Sequence, residues 1–166
     1  STITQQLARS MYDKIIWKDR SILRKIKELI TSFKIEQTYT KSEILELYLN
    51  SVFLGHGRYG VQSASQLYFN KGVSELDLDE CAMLVGILPA PNYYSPYSSM
   101  DRANKRKSLV LRILYENEII NSYDFTSYKN KKLIISDKEI EIYSGIAPYF
   151  NEHVRKELEK IDKELG

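Results

Sequence analysis

The sequence predicts a mainly α fold with a short β-containing tail, on three observations. Apolar residues recur at three- and four-residue spacing through most of the chain as far as about Ile120. Helix-capping patterns open several of these stretches, as in Thr40-Lys41-Ser42-Glu43 and Asp77-Leu78-Asp79-Glu80. After about Asn121 the pattern changes, and Leu133-Ile134-Ile135 and the alternating Glu139-Ile140-Glu141-Ile142-Tyr143 read as strands.

In chain order, Ser1 to Met11 reads as a helix capped by Ser1, Thr2 or Thr4, with Gln5, Gln6 and Arg9 projecting donors from its first turns. Tyr12 to Lys18 reads as a loop, in which Trp17 suits either the core or a membrane headgroup boundary. A charged helix over Asp19 to Gln37 carries Ile22, Ile26, Leu29, Ile30 and Phe33 as its expected buried stripe. Arg24 and Glu28 share another face of it, with Lys25 on the border. Thr40 opens a further helix with Ile44, Leu45, Tyr48 and Leu49 inward, ending near Asn50. Gly55-His56-Gly57 marks a tight loop before a helix over about Tyr59 to Phe69, whose Gly60, Ser63, Ala64 and Ser65 permit close packing. A buried helix then runs from Asp77 to Leu88 and is stopped by Pro89 and Pro91, with a loop over Tyr93 to Tyr97. Ser99 caps a long helix to about Glu116 with its basic residues outward, and Tyr123 to Lys129 forms one more short helix. Phe150 to Leu165 has the period of an amphipathic helix.

The 166 residues amount to one domain's length, 43% hydrophobic and 28% charged, which suits a soluble globular fold. A net charge of +2 is too small to mark a nucleic-acid binder, and no aromatic–basic interleaving supports one. The positive charge is nevertheless concentrated, in Ser1 to Lys34 and again in Arg102, Lys105, Arg106, Lys107 and Arg112, which suits an anionic ligand or surface and equally a solvated face that keeps the chain soluble; composition does not choose between them. Cys81 is the only cysteine, which excludes an internal disulfide, and His56 and His153 show no metal-ligand spacing. No apolar run reaches the length that crosses a bilayer. The opening Ser1-Thr2-Ile3-Thr4 without a preceding Met reads as the inside of a motif, so a fragment is expected.

Five motifs in register carry a family resemblance over Ser1 to about Ile120. Ser1-Thr2-Ile3-Thr4-Gln5-Gln6-Leu7 resembles the later part of the G-G-S-T-I-T-Q-Q-L motif of peptidoglycan glycosyltransferases, glycosyltransferase family 51. Arg24-Lys25-x-x-Glu28 resembles their R-K-x-x-E, and Lys41 to Asn50 their K-x-E-I-L-E-x-Y-L-N. Gly55 to Gly60 with Tyr68-Phe69-x-Lys71, then Leu78-x-Glu80-x-Ala82-x-Leu84 with Pro89 and Pro91, continue the order. Ala147-Pro148-Tyr149-Phe150 and Val154-Arg155-x-Glu157-Leu158 resemble the segment that joins this domain to a transpeptidase domain in class A penicillin-binding proteins.

The resemblance implies a lysozyme-like glycosyltransferase domain over residues 1–121 and a linker over 122–166. It implies polymerisation of lipid II into a growing glycan strand with inversion, the acceptor 4-hydroxyl displacing a polyprenyl diphosphate. Ser1, Thr2, Gln5, Gln6, Arg9, Arg24 and Lys25 would bind the diphosphate and sugar, Glu28 would be catalytic, and Tyr48, Asn50 and Gly55 would support the site. Arg9 stands where Lys is common in the family. No cofactor is required on this reading, with Mg²⁺ or Mn²⁺ near Glu28 as the one candidate cation. The implied location is the outer face of the cell membrane, behind an upstream anchor, with cell-wall synthesis proteins as further candidate partners. The family's general base, a Glu in an upstream E-D-x-x-F motif, has no counterpart in this sequence, so these residues alone are expected to be inactive. The alternative is a non-catalytic module that binds a lipid-linked saccharide or an anionic membrane surface.

Overall fold

The computed structural model describes residues 2–12 and 22–137, with the side chains of residues 11, 12, 23 and 24 excepted. The loop around Trp17, the strand expected at Glu139 to Tyr143 and the helix at Phe150 to Leu165 lie outside the described residues. Helix dominates: α1 (Ile3–Tyr12), α2 (Ile22–Thr38), α3 (Lys41–Ser51), α4 (Val61–Phe69), α5 (Leu78–Ile87), α6 (Pro91–Tyr94), α7 (Met100–Glu116) and α8 (Ser122–Asn130), with a 3₁₀ turn at Val73–Glu75. Among the described residues there is no strand, only an isolated antiparallel bridge between Phe53 and Tyr59. The expected strand at Leu133 to Ile135 is therefore replaced by irregular chain: Leu133 is buried as an anchor, and Ser136 N–H donates to the Tyr68 carbonyl instead of to a neighbouring strand.

The chain divides into two compact units, one built on Ser1–Val52 and one on Phe53–Tyr143. In the first, α1, α2 and α3 pack on one another around Leu7, Ala8, Ile35, Ile44 and Tyr48. The capping box at Thr40 forms as its sequence predicts, Glu43 N–H donating to the Thr40 hydroxyl while the Glu43 carboxylate accepts from Thr40 N–H.

The expected burial of α2 is inverted. Ile22, Ile26, Leu29, Ile30 and Phe33 are exposed, Ile22 at 82% and Phe33 at 64%, while Glu28, Ser32 and Ile35 face inward. The helical period identifies two faces, but α1 and α3 cover the more polar one. That face tolerates burial because its polar groups are satisfied: Ser32 Oγ donates back to the Leu29 carbonyl, and Glu28 is ion-paired. Leu45, expected inward on α3, is likewise exposed, whereas Ile44 and Tyr48 are buried as expected.

In the second unit α5 lies against α7. Gly86 makes that approach close, since a Cβ there would meet the Arg106 backbone carbon at 2.9 Å, and Arg106 Nε donates to the Gly86 carbonyl at 2.7 Å. Pro91 does more than stop α5: as the first residue of α6 it needs no donor there, and a one-turn helix forms where a loop was expected. Lys107 departs from the expected outward placement of the basic residues on α7. It is 1% exposed, and its ammonium donates to the Lys131 carbonyl at 2.6 Å, with Asp79 supplying a nearby opposite charge.

Candidate active site

The start of α1 is held by a reciprocal cap. Gln5 N–H donates to the Thr2 hydroxyl and Thr2 N–H donates to Gln5 Oε1, both at 3.2 Å. Thr2 and Gln5 are thus engaged with each other at the helix N-terminus, while Gln6 and Arg9 stand one turn apart and exposed on α1. Ser1 and the Arg24 side chain lie outside the described residues.

The centre of the site is Glu28, which projects from α2 toward α1 and is 1% exposed. Arg9 Nε donates to one of its oxygens at 3.1 Å and Lys25 Nζ to the other at 2.7 Å. The two cationic side chains are 49% and 53% exposed, so a buried carboxylate holds two solvent-facing cations that come from different helices. Burial pushes the Glu28 carboxyl up, but the hydrogen bonds and charges of Lys25 and Arg9 prevail, and the group lies below its ordinary value. At neutral pH Glu28 is therefore a fixed anion. Arg9 and Lys25 keep further N–H donors for an arriving anion, because each bond to Glu28 uses only part of their capacity. The sequence expected Arg24 and Lys25 as Glu28's neighbours; the pairing with Arg9 across the helix interface was not legible from spacing.

Two further ties hold α1 in place. Glu36 on α2 accepts from the Thr4 hydroxyl and from Lys41 Nζ, both at 2.7 Å, which links all three helices. Tyr48, buried on α3, donates its hydroxyl to Gln6 Oε1 at 3.2 Å. Asn50 lies exposed in the last turn of α3. Gly55 belongs to the second unit, where two features require glycine: its φ is +93°, and a Cβ on it would stand 2.9 Å from the Tyr68 hydroxyl.

One constellation unseen in the sequence is His56 with Ser95, whose Nε2 and Oγ lie 2.7 Å apart. Ser95 is wholly buried and its Oγ also accepts from Tyr97 N–H, so the pair braces a loop and the hydroxyl is shut off from solvent, while His56 is half-buried. Among the described residues no group of three or more His, Cys, Asp or Glu side chains could hold a metal. No helix among them is long and apolar enough to cross a membrane.

A helical domain that gathers two solvent-facing cations on a buried carboxylate presents a locally concentrated positive charge, and its similarity to known proteins gives it a family. Residues 1–115 match the transglycosylase family, and the chain belongs to that family. Its relatives include penicillin-binding protein 1A of Escherichia coli, 42% identical over 158 residues that make up 95% of this chain and 18% of that protein. Penicillin-binding protein 2D of Bacillus subtilis is 37% identical over 96% of this chain and 23% of its own length. The chain thus spans about a fifth of such relatives. A crystal structure of penicillin-binding protein 1A from Haemophilus influenzae superposes with a TM-score of 0.56 at 29% identity, covering 92% of this chain and 19% of that one.

Proposed function

We propose that this chain supplies the diphosphate-binding side of a peptidoglycan glycosyltransferase that polymerises lipid II. The observation that carries the reading is the clamp of Arg9 and Lys25 on buried Glu28, in a member of the transglycosylase family. In the proposed reaction the acceptor 4-hydroxyl attacks the anomeric carbon, configuration inverts, and the C–O bond to the diphosphate breaks. Negative charge grows on the departing diphosphate, and cations already fixed by the fold stabilise it without reorganising. Arg9, Lys25 and the neighbouring Arg24 are the groups assigned to that charge, with Gln6 as a neutral donor. Glu28 positions the cations and limits their mutual repulsion.

The growing glycan strand is the proposed second substrate, and the outer face of the cell membrane the proposed location, since lipid II is carried in a bilayer. Residues 1–121 are proposed as the glycosyltransferase domain and 122–166 as a linker toward a transpeptidase domain. A divalent cation near Glu28 would find one protein carboxylate, whose oxygens already accept from Arg9 and Lys25. These residues do not by themselves form a metal site, and no step of the reaction is routed through one.

Incubation of labelled lipid II with a protein that joins these residues to an upstream E-D-x-x-F segment tests the reading, with glycan polymer separated on a gel. Polymer is expected from the wild type, and losses of about 10²-fold or more from Glu28→Gln or Arg9→Ala are expected if charge stabilisation on the leaving group is at stake. Polymerisation that tolerates both substitutions within about twofold, under 0.5 kcal/mol of barrier, would overturn the assignment. Turnover lost to EDTA and restored by Mg²⁺ or Mn²⁺ would bring a divalent cation into the scheme.

A further inference from the structure

We infer that Tyr48 is a positioning residue that fixes the Gln6 side-chain amide with its N–H donors, rather than its carbonyl oxygen, turned toward the diphosphate. The inference rests on the diphosphate reading above and names a control on that same site. A glutamine amide has two nearly isosteric ends of opposite polarity, so its value to an anion depends on which end is presented. With the donors outward it attracts a phosphate oxygen; flipped, it places a carbonyl dipole against one.

The structure supplies a reason for one orientation. Tyr48 is packed among Leu7, Ala8, Ile35 and Ile44, so its ring has little freedom and its hydroxyl reaches Gln6 from the protein side. The phenol stays protonated because burial pushes its ionisation up, and it donates to Gln6 Oε1 at 3.2 Å. With Oε1 occupied by Tyr48, Nε2 is left for the solvent side, where Gln6 is exposed. Gln6 also lies three residues before Arg9 on α1, which puts both side chains on one face of the helix. Tyr48 touches no substrate on this account and acts only through Gln6.

The experiment is a titration of the ¹⁵N-labelled full chain with inorganic pyrophosphate, following the Gln6 side-chain amide and the backbone amide of Arg9. In the wild type the Gln6 amide signals are expected to move saturably. Tyr48→Phe keeps the ring and removes only the hydroxyl, and is expected to weaken pyrophosphate about 2- to 10-fold, the worth of one oriented hydrogen bond. Gln6→Ala is expected to weaken it similarly, and the double variant to be no weaker than Gln6→Ala alone within about twofold. If Tyr48→Phe alters the backbone spectrum, the wild type carries the test: pyrophosphate should shift the Gln6 Nε2 protons saturably, and Nε2 protons that do not move overturn the inference. Full multiplicativity of the two single losses, or binding untouched by Tyr48→Phe, overturns the inference. If Gln6→Ala binds like wild type while Arg9→Ala does not, the inference fails and the diphosphate reading stands. If no variant changes binding, both fail.

Discussion

Glu28 shows how much a single residue's partners decide. Alone on α2 it looks like half of a surface pair with Lys25, of a kind that contributes about 0.2–0.5 kcal/mol. Buried, with Arg9 on one oxygen and Lys25 on the other, it becomes a group whose loss leaves two half-exposed cations from different helices to repel each other. The carboxyl lies below its ordinary value of 4.5, so it releases its proton more readily in the folded chain than in the unfolded one. Its stabilisation is therefore complete above about pH 4.5 and is lost as pH falls through the native value. Urea melts of wild type and Glu28→Gln should accordingly differ most near pH 7, and the gap should narrow on going from pH 5 to pH 3. A gap independent of pH would show that Glu28 contributes by shape and not by charge.

At the scale of elements, helix positions were legible and helix orientations were not. The caps at Thr40, Asp77 and Ser99 and the breaks at Gly55 to Gly57 and Pro89 are local chemistry, and the helices begin and end within a few residues of them. Which face of α2 is covered depends on α1 and α3, whose arrival no local pattern encodes. The orientation predicts a contrast. Ile35→Ala, in the core, should cost about 2–4 kcal/mol by the usual scale of buried large-to-small changes, whereas Phe33→Ser and Ile30→Ser should change stability by less than about 0.5 kcal/mol, as exposed positions do. Denaturant midpoints measured on the three variants would settle it, and a large loss at Phe33 would mean that the stripe is covered. The α5–α7 contact gives a second prediction. Gly86→Ala places a methyl against the Arg106 backbone and should cost about 1–3 kcal/mol, the range for overpacking. An unchanged melting temperature would show that the two helices separate freely at that point. The tail at Leu133 to Ile135 misled the sequence reading because β-branched runs are ambiguous without a partner strand. Here the Lys107 and Lys131 bonds, to the Lys131 carbonyl and to Asp77 and Asp79, fix it as irregular chain.

For the molecule as a whole, the net charge of +2 leaves little long-range attraction for an anion, so the proposed recognition of a diphosphate rests on cations gathered locally. Arg9→Ala and Lys25→Ala should each weaken pyrophosphate by about 1.5–3 kcal/mol, the cost of a charge-assisted contact, and leave a neutral N-acetylated disaccharide unaffected. Raising salt from about 50 to 500 mM should shrink the pyrophosphate affinity of the wild type more than that of either variant, because these half-exposed cations are screened. Equal losses for both ligands, read by calorimetry, would mean that the cations support the site generally and do not single out the diphosphate. The sequence by itself determined the family, the helical class and the residue types available for anion chemistry, since capping, period and motif spacing are properties of neighbours along the chain. Only the tertiary structure decided that Arg9 shares Glu28 with Lys25, that Tyr48 reaches Gln6, and that the apolar side of α2 faces outward. Each of those joins positions tens of residues apart or sets one helix face against another, and such contacts are chosen by packing and by the cost of leaving a buried charge unpaired.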